Sequence, residues 1–373
     1  MFDGVSRRGF LKLSGAAAIA GIGATLSGCG GGQAQSKMPE ASSAGAEAST
    51  EKTSYSFDGN DFVMKLKNGE KLYTECDQKG TVEEIYYDTH AYAVEKITGE
   101  SNIPMQKRMF AYLPYGYDPS KQYNVLYLMH GGGESEIYWL TSQDGKPGQS
   151  TCNLLDNLVK EGKCADTIVV SPTFNATPEG YEDVVADYLG YDKDGGKPSG
   201  DSEPKEGDPE IAFQVAFADE LRNEVIPTIE SRYSTFAGGD VSDENLVATR
   251  DHRGFAGFSM GSCTTFHAGI MHNLDCIGYF GNFSGGLADS DELAGAILQT
   301  FSPYDLKFWY NGNGSADIAH DEHKGLLDAT LPKLGDKVKD AENYAWVEFK
   351  GGTHSFNCWI LHLYNCMLVF FKK

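Results

Sequence analysis

Positive charge is scarce in this sequence. Its 373 residues carry 31 lysines and arginines against 53 aspartates and glutamates, a formal net charge of −22. A chain this acidic is not a general nucleic-acid binder, because such proteins attract phosphate with clustered Lys and Arg. The sequence also lacks a convincing bilayer span. Its N-terminal apolar run, Leu13 to Leu26, is short and rich in Gly and Ala, whereas a spanning helix needs about 20 strongly apolar residues. No Cys-x-x-Cys pair and no His/Cys metal spacing occurs, so no metal site is expected from the cysteines. There is no internal repeat. The 40% apolar and 23% charged content is ordinary for a globular protein and excludes a disordered or collagenous chain over most of the length.

The first residues read as an address rather than as fold. Ser6-Arg7-Arg8-Gly9-Phe10-Leu11-Lys12 ahead of the apolar run resembles the bacterial twin-arginine export consensus. The run closes on Leu26-Ser27-Gly28-Cys29, which resembles a lipoprotein cleavage site whose Cys becomes the lipidated first residue. Residues 1–28 are therefore expected to be a signal peptide and Cys29 a lipid anchor. Residues 29–53, rich in Gly, Ala, Ser and Gln, are expected to be a flexible tether. Together they imply export and attachment to the outer face of the bacterial cytoplasmic membrane. Removal of the signal makes the rest more acidic still. The seven other cysteines (76, 152, 164, 263, 276, 358 and 366) are odd in number, so at least one is unpaired within the chain. Cys152 and Cys164 flank a helical segment and are expected to lie too far apart to bridge.

Residues 54–373 are expected to be one domain. Apolar strand-like runs, Arg108–Leu113, Asn124–His130, Thr167–Pro172, Arg253–Phe258, Cys276–Phe283, Leu306–Asn311 and Ala345–Phe349, alternate with helical patterns over Asn153–Glu161, Ile211–Glu230 and Ser262–Asn273. Such alternation predicts an α/β fold with a mostly parallel central sheet and helices on both faces. One insert, Glu179–Glu210, holds eleven acidic and three basic residues. It reads as a solvated loop, or as a lid beside the active site.

Gly257-Phe258-Ser259-Met260-Gly261 follows a strand and opens a helix, the context of a nucleophile elbow. Small residues flank the serine because the turn is tight and a Cβ there would collide with its neighbours. The helix start aims free N–H groups at a developing oxyanion, Met260 first among them. Upstream, a strand runs into His130-Gly131-Gly132-Gly133. Gly131 is the first candidate for the second oxyanion donor and Gly132 the next, while His130 braces the loop. A serine needs a base, and the base needs an orienting acid. Of the histidines well beyond the elbow, His354 in Gly351-Gly352-Thr353-His354 follows a strand, the position at which α/β sheets assemble their sites. His320 and His323 lie in a helical stretch, and His362 lies inside an apolar final helix. Asp317 is the first carboxylate after the penultimate strand, with Asp321 and Glu322 one helical turn further on.

Phe110-Ala111-Tyr112-Leu113-Pro114, the strand into His130-Gly131-Gly132-Gly133, Asp251 through Gly261, Gly314-Ser315-Ala316-Asp317 and the His354 loop together resemble the esterase-D-like branch of the α/β-hydrolases. Its secreted members include the feruloyl and acetyl-xylan esterases of the first carbohydrate-esterase family. The resemblance covers about residues 100–373 and implies Ser259, Asp317 and His354 as the triad of a serine esterase. Ser262-Cys263 departs from the further glycine that relatives often carry. The expected substrates are feruloyl-type, acetyl or other carbohydrate-linked esters, with Tyr138, Trp139, Phe174 and Trp359 as an aromatic wall. Two rivals stay open at this point: an acyltransferase using the same acyl-serine, and a non-catalytic glycan-binding lipoprotein.

Overall fold

Short, almost wholly apolar segments dictate the centre of the molecule. In the computed structural model, which describes residues 54–57, 59–143, 147–175, 177–189 and 209–372, Asn124–Met129 (β5), Thr167–Ser171 (β6) and Arg253–Phe258 (β7) are buried along their whole length. The proposed signal peptide, Cys29, the tether and the middle of the acidic insert lie outside the described residues. Because side chains alternate along a strand, Val125, Tyr127 and Met129 enter one core while Leu126 and Leu128 enter another on the opposite face. Both faces of the sheet are therefore covered.

The remaining strands are Ser56–Phe57 (β1), Asn60–Asp61 (β2), Thr81–His90 (β3), Pro104–Leu113 (β4), Tyr279–Phe283 (β8), Phe308–Gly314 (β9) and Tyr344–Phe349 (β10). Eight of them form one sheet in the order β10-β9-β8-β7-β5-β6-β4-β3. Pairing is parallel from β10 to β6, whereas β4 runs antiparallel to both β6 and β3. This is the mostly parallel sheet that the sequence predicts, and its strand order reverses at β5, where such sheets open a crevice for ligands.

One core lies under the helices that include Tyr92–Thr98, Pro209–Glu220 and Ser290–Gly295. The other lies under Pro147–Lys160 and Phe356–Val369. In Pro147–Lys160 the buried residues Thr151, Leu154, Leu155 and Leu158 recur at helical spacing and form one apolar stripe. Among the described residues no helix is long and apolar enough to cross a membrane. The seven described cysteines are all free thiols.

The strand pair β1–β2 joins the sheet through residues distant in sequence. Tyr55 donates its hydroxyl to Asp340 at 2.7 Å and accepts from the Trp346 amide at 3.3 Å. Val63 exchanges two backbone hydrogen bonds with the Asn365 side chain, at 2.8 and 2.9 Å. At the start of β7, Arg253 is fully enclosed and bonded to Glu230, Thr249 and the carbonyls of Leu246 and Cys276. That buried pair anchors the strand that ends at the elbow.

Candidate active site

The elbow begins where β7 stops. Ser259 has φ 53° and ψ −122°, a conformation that L residues rarely adopt and that costs about 1–3 kcal/mol. It persists because the surroundings hold it: the Ser259 amide donates to the Phe283 carbonyl of β8 at 2.9 Å, and the helix Met260–Thr264 starts immediately. A Cβ on Gly257 would lie 2.6 Å from the Gly261 backbone, and one on Gly261 would lie 2.4 Å from the His130 carbonyl oxygen. The strand, the helix and the neighbouring loop thus approach closer than any side chain permits. As the first residue of the helix, Met260 carries one of the N–H groups that have no intrahelical acceptor.

The acid and the base come from adjacent loops after β9 and β10, and those loops brace each other. Ser315 donates its amide to Phe349, Ala316 donates to Gly352, and Gly351 donates to the Ser315 hydroxyl, at 3.0, 2.8 and 2.8 Å. His354 is thereby placed with Nδ1 2.8 Å from Asp317 Oδ1 and Nε2 3.0 Å from Ser259 Oγ. The Asp317 carboxylate, whose side chain has no exposed surface, also accepts from the Ala319 amide at 2.8 Å. An ionised carboxylate can only accept, so His354 Nδ1 carries the hydrogen and Nε2 presents its lone pair to the serine. This is the tautomer that a general base requires.

The structure does not use the other candidates in this way. Asp321 is fully exposed and binds His320, which also contacts Glu348. Glu322 lies in the first turn of the helix His320–Leu334. His323 is enclosed against Asn311 at 3.1 Å, and burial pulls its pKa down to about 3. His362 is packed in the core beside Tyr310 at 2.8 Å, and burial pulls its pKa well below the usual range.

Gly131 and Gly132 lie at the end of β5, against the elbow. A Cβ on Gly131 would meet the Phe258 ring at 2.4 Å, and one on Gly132 would lie 3.0 Å from Met260 Cγ. His130 is buried, with Nδ1 2.7 Å from the Gly131 carbonyl and Nε2 2.7 Å from the Thr173 hydroxyl. It braces the loop, and Thr173 is a partner that no sequence motif signals.

The aromatic wall needs correction. Trp139 is completely enclosed, with its indole N–H donated to the Met129 carbonyl at 3.0 Å, so it is core and cannot face a ligand. Tyr138, Phe174 and Trp359 each keep only 7% of their surface. Tyr138 packs on Phe258 at 4.9 Å, Phe174 stacks on His130 at 4.6 Å, and Trp359 stacks on Phe258 at 3.9 Å with its ring perpendicular to that of His354 at 5.0 Å. Of the three, Trp359 meets a triad residue, while Tyr138 and Phe174 pack on Phe258 and His130.

A strained serine on a strand-to-helix turn, a histidine within reach of it and a buried carboxylate behind that histidine define a serine esterase of the α/β-hydrolase fold. Residues 101–323, more than half of the chain, match the Esterase family model. The chain belongs to that family. It is 32% identical over 279 residues to endo-1,4-beta-xylanase Y of Acetivibrio thermocellus, covering 72% of this chain and 22% of that protein. It is 26% identical over 253 residues to an endo-1,4-beta-xylanase/feruloyl esterase of Xylanibacter ruminicola, covering 66% and 27%. The chain thus spans about a quarter of the length of the curated relatives it matches. The solved feruloyl esterase module from Clostridium thermocellum, complexed with sinapinate, superposes with a TM-score of 0.63 at 28% identity, covering 85% of this chain and 97% of that one. A ferulic acid esterase from Anaeromyces mucronatus shares the fold, with a TM-score of 0.58 at 22% identity over 81% of this chain and 95% of that one.

Proposed function

We propose that this protein hydrolyses carbohydrate-linked esters of the feruloyl or acetyl type through an acyl-enzyme on Ser259. One observation carries the mechanism: the continuous hydrogen-bonded line from Ser259 through His354 to Asp317, at 3.0 and 2.8 Å. Ser259 Oγ attacks the ester carbonyl carbon as its proton passes to His354 Nε2. Asp317 stabilises the imidazolium that forms. The carbonyl oxygen becomes an oxyanion held by the Met260 amide and an amide of the Gly131–Gly132 segment. Collapse breaks the bond to the alcohol, which takes the proton from His354 and leaves acyl-Ser259. Water then repeats the sequence, giving up a proton to His354, and releases the acid.

The feruloyl side of the proposal draws on the names of the relatives, since a triad is indifferent to its acyl group. Export by the twin-arginine route and anchoring through Cys29 rest on the Ser6–Lys12 and Leu26–Cys29 motifs. Turnover of methyl ferulate, aryl acetates and longer acyl esters tests the substrate class, and failure on the whole panel would overturn it. Ser259→Ala is expected to cost at least about 10⁴-fold in kcat, as loss of a nucleophile does. Activity retained in that variant would remove the mechanism.

A further inference from the structure

A buried polar chain leads from the β3–β4 end of the sheet to the oxyanion loop. Lys107 points into the core from β4, whose antiparallel register with β6 (Phe110 opposite Ser171) sets it beside the residues just past the end of β6. Its ammonium is fully enclosed and has three acceptors: both carboxylate oxygens of Glu220, at 2.7 and 2.9 Å, and the Thr173 carbonyl at 2.6 Å. Glu220 in turn accepts from the Tyr87 hydroxyl at 2.6 Å. An ion pair so deeply buried is costly to desolvate and is weak as a source of stability. What it does hold is Thr173.

Hydrogen-bond direction can be followed from there. The Gly131 carbonyl can only accept, so His130 Nδ1 carries the hydrogen. Burial pulls the His130 pKa down to about 4, so the ring is neutral and Nε2 accepts from the Thr173 hydroxyl. The Thr173 oxygen accepts in its turn from the Asn175 amide at 3.1 Å. Every donor has one acceptor, and the His130 tautomer is fixed. The peptide joining Gly131 to Gly132 is trans, so its C=O and N–H point to opposite sides. With the carbonyl drawn to His130, the Gly132 N–H faces away from it, and Gly132 itself lies against Met260.

We propose that Thr173, seated by the Lys107–Glu220 pair, is a positioning residue of the oxyanion site. Through His130 it turns the Gly131–Gly132 peptide so that the Gly132 and Met260 N–H groups address the same oxygen. Gly132, rather than Gly131, is then the second donor. The inference rests on the acyl-serine reading of Ser259.

The test is steady-state kinetics on an aryl acetate and on methyl ferulate, with thermal denaturation and with binding of phenylboronic acid, which forms a tetrahedral adduct on a reactive serine. Thr173→Val is expected to lower kcat about 10- to 100-fold, the scale of a misaligned catalytic group, with KM within about threefold. Boronate affinity should fall in parallel, since an oxyanion site binds the tetrahedral state selectively. Thr173→Ser keeps the hydroxyl and should recover most of the rate. Lys107→Met/Glu220→Gln removes both charges, leaves neither buried alone, and should lower kcat by a loss that does not multiply with that of Thr173→Val. If Thr173→Val fails to fold, this paired variant carries the same test. A folded Thr173→Val or paired variant with wild-type kcat and boronate affinity, beside an inactive Ser259→Ala, overturns the inference and leaves the esterase reading standing. Activity in Ser259→Ala would instead remove the reading beneath it.

Discussion

The two oxygens of Asp317 are treated differently by the fold. Oδ1 accepts from His354 and from the Ala319 amide, whereas Oδ2 is buried with no hydrogen-bond partner in the structure. The carboxylate's interactions are therefore concentrated on the atom that orients the base. Asp317→Asn would present an amide where an acceptor is needed and favour the wrong imidazole tautomer. The expected loss in kcat is about 10³–10⁴-fold. Asp321→Asn, at a fully exposed position, should change kcat by less than about twofold, and a large loss there would move the acid. Asp317 was legible in the sequence because it is the first carboxylate after a Gly-rich turn. Thr173 and Lys107 were not. Lys107 stands between Gln106 and Arg108, just ahead of the apolar run Arg108–Leu113, where nothing in the sequence marks it as buried, and its partner Glu220 is 113 residues away. Only the antiparallel register of β4 and β6 shows where its side chain goes.

At the level of elements, the elbow depends on close approach. Gly261→Ala would place a Cβ 2.4 Å from the His130 oxygen and 2.8 Å from that of Met129. Both are backbone atoms at the end of β5, so the helix or the oxyanion loop has to move, at a cost of about 1–3 kcal/mol. We expect a lower Tm and a kcat reduced more than about tenfold. Gly325 is the control, lying inside the helix His320–Leu334 with open space where its Cβ would be. Gly325→Ala should stabilise by about 0.5–1 kcal/mol and leave turnover unchanged. Equal effects of the two alanines would contradict the steric account. Apolar pattern located the central strands well and the outer ones poorly. β3, with Glu83, Glu84 and Asp88 among its ten residues, is an edge strand with one neighbour and was not expected. β9 begins two residues later than its apolar run suggests and continues through Asn311-Gly312-Asn313-Gly314. Asn313 is satisfied on both sides of its amide, Oδ1 accepting from the Gly314 N–H at 2.8 Å and Nδ2 donating to the Ala319 carbonyl at 3.3 Å, and Asn311 Oδ1 meets His323 at 3.1 Å. β8 likewise starts at Tyr279, although Cys276 and Ile277 before it are buried.

The whole molecule should be sensitive to acid. Burial pulls the pKa values of His130 and His267 down to about 4 and that of His323 down to about 3, from 6.5. Below about 6.5 the unfolded chain takes up protons that the folded one refuses, so stability is complete above that pH and is lost as pH falls toward 4 and 3. Each such histidine contributes up to about 1.4 kcal/mol per pH unit inside its window. Tm is expected to be flat above about pH 7 and to fall steeply between 6 and 4.5, and an unchanged Tm at pH 5 would refute this account. The joining of distant parts of the chain has another consequence, for biosynthesis. Tyr55 and Val63 are fastened to Asp340, Trp346 and Asn365. A ribosome releases the first two long before it has made the other three, so the strand pair β1–β2 has no berth until the helix Phe356–Val369 emerges. The nascent chain carries Ser259 well before His354, and activity can begin only once His354 and the loop that holds it have left the ribosome.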